Sequence, residues 1–93
     1  DCWTPWASAL FGQLQRAALS VQLNIAEGWS FGPTPTCTRH LGIAYGSAVE
    51  TGELLQLVIR LRLAAPARLE PIMTCNGRSQ RLLLGLLKTR RPL

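Results

Sequence analysis

Acid is scarce in this sequence. Five Asp and Glu stand against ten Lys and Arg in 93 residues, and no acid follows Glu70. The net charge of +5 and the pI near 10.1 suit a polyanion or an acidic protein surface. The plainer alternative is a solvated cationic face with no specific partner. Charge of either sign is also thin, at 16% of residues. That is too little to coat a small monomer well, which favours burial against further copies of the chain.

Cysteine has the wrong count and spacing for a disulfide framework. Cys2, Cys37 and Cys75 are odd in number and far apart, which points to a reducing compartment. Histidine occurs once. His40 and Cys37 stand at i and i+3, but two ligands do not close a zinc site, and no CxxC or HxxxH accompanies them. One histidine also leaves a cysteine nucleophile short of an orienting group. Glu50 and Glu53, one turn apart, do not make a hydrolase. With no strands expected, no glycine-rich phosphate loop can follow one. These absences argue against an enzyme and against a cofactor.

Long hydrophobic runs are missing too. Leu82–Leu87, with Gly85 inside it, falls far short of the roughly 20 residues a bilayer requires. No signal-peptide pattern is visible, and a cytoplasmic, non-membrane protein is expected. The chain starts at Asp1 rather than Met, so it reads as a piece of a longer product.

What is present is an apolar, foldable composition, 47% hydrophobic. The length allows one domain at most, over residues 1–93, with a modest core. Strand-like alternation and internal repeats are both absent, so the chain reads as all-α.

The stretch QLQRAALSVQLNIAEG, residues 13–28, organises the rest. Gln13, Arg16, Ser20, Asn24 and Glu27 recur at helical spacing as one polar stripe. Leu10, Leu14, Ala17, Ala18, Val21 and Ile25 form an apolar stripe beside it. Leu19, Leu23 and Ala26 widen the apolar surface. A first helix is expected from about Trp6 to Trp29, with Gly28 ending it through a positive φ. SFGPTP at 30–35 is a break. Thr34 or Thr36 can cap a second helix, with Pro35 in its first turn.

That second helix should reach about Leu63. Leu41, Ala44, Ala48, Leu55 and Val58 form one apolar row, and Ile43, Leu54, Leu57 and Leu61 a second, so neighbours are expected on two sides. Gly42, Gly46, Ser47 and Gly52 would allow close helix approach. A third helix should start at Pro66 or at Pro71, with its regular part expected from Pro71, because an interior proline breaks the ladder of hydrogen bonds. Asn76-Gly77 is expected to weaken or kink it before RLLLGLLK at 81–88.

Three blocks, QLQRAALSVQLNIAEG at 13–28, LGIAYGSAVE at 41–50 and RLLLGLLK at 81–88, carry a resemblance. The chain resembles the four-helix-bundle proteins encoded in intervening sequences of bacterial 23S ribosomal RNA genes. That family is similar to the accessory proteins of diversity-generating retroelements. The resemblance covers about residues 3–90. It implies an up-and-down antiparallel bundle of four helices, assembled as a barrel-like homopentamer. The retroelement relatives bind a reverse transcriptase and nucleic acid (RNA or DNA) through basic surfaces. No catalytic residue can be carried over. The family's first helix has no counterpart here, so the three expected helices correspond to its second, third and fourth. WSFGPTPTC also replaces the family's basic, Ser-containing loop and its Glu-Phe pair, so the resemblance does not carry a nucleic-acid contact over to that loop, whereas Arg16, Arg39, Arg81 and Lys88 do match the family pattern.

Two groups of site residues follow. Arg78, Arg81, Lys88, Arg90 and Arg91 are the expected surface for nucleic acid or an acidic partner. Arg16, Asn24, Glu27, Arg39 and Glu50 are expected to form a polar network in the bundle or between subunits, the alternative being a nucleic-acid or small-molecule site. In that network Asn24 and Glu27 pair with Arg39 or Arg81 and fix helix register. Trp3, Trp6, Trp29 and Phe31 could stack on bases, though covering apolar surface at the bundle ends is the stronger reading.

Overall fold

The computed structural model describes the backbone of residues 5–90 and the side chains of residues 5–89. The chain forms three helices, α1 (Pro5–Ser30), α2 (Pro35–Arg60) and α3 (Pro66–Arg90), and no strand occurs among the described residues. It is an all-α protein. The connections, 31–34 and 61–65, are short. Each helix therefore folds back antiparallel on the one before it, and Gln13 lies by Glu50 while Asn24 lies by His40.

α2 is the middle element. It packs against both α1 and α3, whereas α1 and α3, among the described residues, bring no Cα atoms within 8 Å of each other. The extents are 52 × 23 × 17 Å. The shortest is less than two helix diameters of about 10–12 Å, so the three rods lie close to a single bent layer. The expected apolar row of α2 is the core: Leu41, Ala44, Ala48, Leu55 and Val58 are all buried. Cys37 and Leu83 join it, and Val21, Tyr45 and Leu87 pack around it.

Thr34 is the N-cap of α2. Its side-chain oxygen accepts from the Cys37 N–H at 3.2 Å, and Pro35 occupies the first turn. α2 stops three residues short of the expected Leu63. Leu61 caps it, and Arg62 takes the left-handed conformation at φ 57°.

Two expectations about glycine and proline are overturned. Gly28 does not end α1, which continues to Ser30. The positive φ falls on Gly32 instead, at 66°. Gly28 is buried because α2 crosses there: a Cβ on it would stand 2.9 Å from the His40 Cβ and 3.2 Å from the Cys37 carbonyl oxygen. α3 becomes regular at Pro66, not Pro71, and Pro71 sits inside it. Pro71 is only the sixth residue of that helix. Only the first four N–H groups of a helix lack a partner, so Pro71 removes one early bond, to the Ala67 carbonyl, and leaves the rest of the ladder intact.

Asn76-Gly77 does not break α3 either. Asn76 donates to the Ala48 carbonyl of α2 at 2.9 Å, and Gln80 donates to the same oxygen at 3.4 Å. Gly52, one turn beyond Ala48, leaves that carbonyl open. A Cβ there would come within 3.1 Å of the Asn76 amide nitrogen. Gly52 thus serves the close approach expected of it. Gly42 and Gly46 do not, since a Cβ on either would meet nothing within 4 Å. Of the second apolar row of α2, Ile43, Leu57 and Leu61 are exposed and only Leu54 is half-buried.

Candidate functional site: a polar seam and a basic helix face

The polar stripe of α1 faces α2, and the antiparallel register decides each partner. At one end the Gln13 amide donates to a Glu50 carboxylate oxygen at 2.6 Å. Arg16 donates to the Gln13 side-chain carbonyl at 3.1 Å. Gln13 therefore links two of the expected network residues, Arg16 and Glu50. In the middle the Ser20 and Ser47 hydroxyls meet at 2.8 Å.

At the other end Asn24 is held in both senses. Its amide nitrogen donates to the Ser20 carbonyl at 2.9 Å and to the Ser20 hydroxyl at 3.2 Å. Its carbonyl oxygen is thereby turned towards His40 Nδ1, at 3.0 Å. An acceptor in that place puts the proton on Nδ1. The Glu27 carboxylate lies 3.7 Å from the same nitrogen. Phe31 stacks on the imidazole, with centroids 5.6 Å apart and rings tilted by 12°.

The expected pairing of Asn24 and Glu27 with Arg39 or Arg81 is therefore not the one formed. His40 takes that place. Arg39 precedes it by one residue, about 100° round the helix, and is exposed. Arg81 lies on α3, and its guanidinium folds back over Gly77 of its own helix. Glu27 is 62% exposed, a rim group rather than the buried member of a charge pair.

The sequence contained the signal for His40. A turn over residues 31–34 folds position 24 back beside position 40. The i, i+3 spacing of Cys37 and His40 pointed to a metal instead. Cys37, its expected companion, is buried in the core cluster. Among the described residues no three His, Cys, Asp or Glu gather as a metal site.

The second group lies on α3. Arg78, Arg81 and Lys88 are exposed. Their spacing of three and seven puts them within about 80° of one another on the helix. The side of α3 turned to α2 carries Asn76, Gln80, Leu83 and Leu87, so the basic stripe looks away from the rest of the molecule. Exposed Leu82 and Leu86 run along its edge. The Arg90 side chain and Arg91 fall outside the described residues, as do Cys2 and Trp3. The cleft between α2 and α3 is lined by Gly52, Glu53, Gln56, Met73, Asn76 and Gln80, a set with one titratable group. Among the described residues no helix is long and apolar enough to cross a membrane.

The chain matches the model of a protein family, described as 23S rRNA-intervening sequence protein, over residues 7–85. No curated protein and no solved structure matches it.

Proposed function

We propose, from the premise that this chain belongs to the family of 23S rRNA-intervening sequence proteins, that it is a non-enzymatic, self-associating helical protein that holds nucleic acid on α3. The observation that carries this reading is the outward stripe of Arg78, Arg81 and Lys88 on a segment with no acid after Glu70. A stripe of that kind neutralises phosphates without reading bases. Three cations on one short chain bind weakly. Several chains in one assembly multiply them, and the second attachment then costs far less than the first.

Self-association is supported by the large apolar side chains left exposed, with Leu82 at 70% and Leu19 at 55%. A ring of five copies is the form the family resemblance implies. A bacterial cytoplasmic setting belongs to the same reading and is supported by Cys37 and Cys75 both being free thiols.

Leu82 and Leu86 beside the cations favour one second reading. A protein partner with an acidic, amphipathic surface, such as a reverse transcriptase, would use both kinds of side chain. Capture of such a partner that survives nuclease treatment would select it.

The test is a gel shift with mixed-sequence RNA and DNA. Retention is expected at low salt, with affinity falling steeply as salt rises. Replacing Arg78, Arg81 and Lys88 by Ala should flatten that slope by about 0.9 for each phosphate no longer neutralised on duplex DNA. No retention of either nucleic acid at low salt overturns the nucleic-acid reading.

A further inference from the structure

The outward face of α2, which reaches the rim of the α2–α3 cleft at Val49 and Glu53, carries a pattern that no side-chain hydrogen bond or ion pair among the described residues uses. Arg39, Gly46 and Glu53 recur along it every seven residues, with Gly42, Ile43 and Val49 between them, and all six are exposed. Ile43 is 44% exposed and Val49 38%. Neither Arg39 nor Glu53 forms an ion pair with another described residue. The space above Gly42 and Gly46 is open to at least 4 Å from where a Cβ would stand.

The pattern is self-complementary. Arg39 precedes Gly46 by as many residues as Glu53 follows it. A second α2, turned end for end about Gly46, brings its Glu53 level with Arg39 and its Arg39 level with Glu53. These two opposite-charge pairs stand about 21 Å apart at a rise of 1.5 Å per residue. The same operation sets Ile43 against Val49 on both sides of the centre. It also lays glycine on glycine, where backbones can come close. A two-fold axis requires that residue i meet j and that j meet i. The charged pair and the apolar pair both satisfy it.

We infer that this face joins two copies of the chain, with their α2 helices antiparallel across a two-fold axis at Gly46. The inference rests on the reading that copies of this chain associate, and it specifies one face and one symmetry. Copies joined this way come in even numbers, so an odd ring carrying the face doubles.

The experiment is sedimentation of the full chain at low ionic strength, where exposed charges are least screened. Arg39→Glu and Glu53→Arg should each weaken pairing by about tenfold, since each turns two attractions into two repulsions. The double variant R39E/E53R should restore it. An equimolar mixture of the two single variants should pair as well, because each supplies the charge the other has given up. Gly46→Leu fills the open face without touching a charge and should also weaken pairing, while favouring the helix itself. Assembly that ignores all of these changes overturns the two-fold face and leaves association through other surfaces standing. A wild-type chain that is monomeric at every concentration overturns both.

Discussion

Gly28 is set by a crossing and not by a turn. The smallest added side chain would reach the His40 Cβ at 2.9 Å and a backbone carbonyl at 3.2 Å. Neither is the loose end of a flexible chain, so α2 must shift to admit it. Gly28→Ala should therefore destabilise by about 1–3 kcal/mol, despite the better helix propensity of alanine. Urea unfolding measures it, and an unchanged midpoint would refute the crossing. Four residues earlier, Asn24 uses its whole amide group, donating to Ser20 and accepting from His40. Glu27 touches the same imidazole from the exposed rim. Asn24→Ala should cost about 1–2 kcal/mol. Glu27→Ala should cost less than about 1 kcal/mol, and a double-mutant cycle should couple His40 to Asn24 more strongly than to Glu27. The reverse order would mean that the carboxylate, not the amide, holds the ring.

At the scale of elements, both ends of α2 have a local cause. Thr34 and Pro35 start α2, and Leu61 and Arg62 stop it. α3 is the costly element. It contains Pro71 and Asn76-Gly77 within its first half, and it is held by two side-chain bonds to one carbonyl of α2. Pro71→Ala restores an N–H that can bond to the Ala67 carbonyl and removes the ring beside it. It should stabilise the protein, by up to about 3 kcal/mol if position 71 behaves as helix interior and less near the end. Thermal melting followed by circular dichroism reads the change. A lower midpoint would show that α3 depends on the proline for its placement.

The whole molecule is one bent layer of three rods, and a layer has two faces to cover. Leu19 and Leu23 on α1 are exposed, as are Ile72, Leu82 and Leu86 on α3. A chain of 10.2 kDa with this much apolar surface in water should show a native mass that is a multiple of its own, and dilution should not release a well-folded monomer. Native mass spectrometry decides it.

Periodicity alone identified the helices, because apolar side chains repeating every three or four residues have one good arrangement. The core row Leu41, Ala44, Ala48, Leu55 and Val58 was legible for the same reason. The polar stripe was legible as a stripe, but its partners were not. Helical spacing says which residues share a side of one rod, and partners are chosen by how two rods are set against each other. A shift of one residue moves the partner from Arg39 to His40, and no count along a single helix contains that shift.

The sequence by itself determined that this protein is helical, basic towards its end and rich in apolar surface, because those are sums and periods along one chain. Only the tertiary structure decided that Gly28, Gly52 and Asn76 serve the packing of one helix on another, that His40 closes the polar seam, and that Arg39 and Glu53 are left exposed. Those outcomes depend on the distance and register between rods, which are set by side chains far apart in the chain meeting in space.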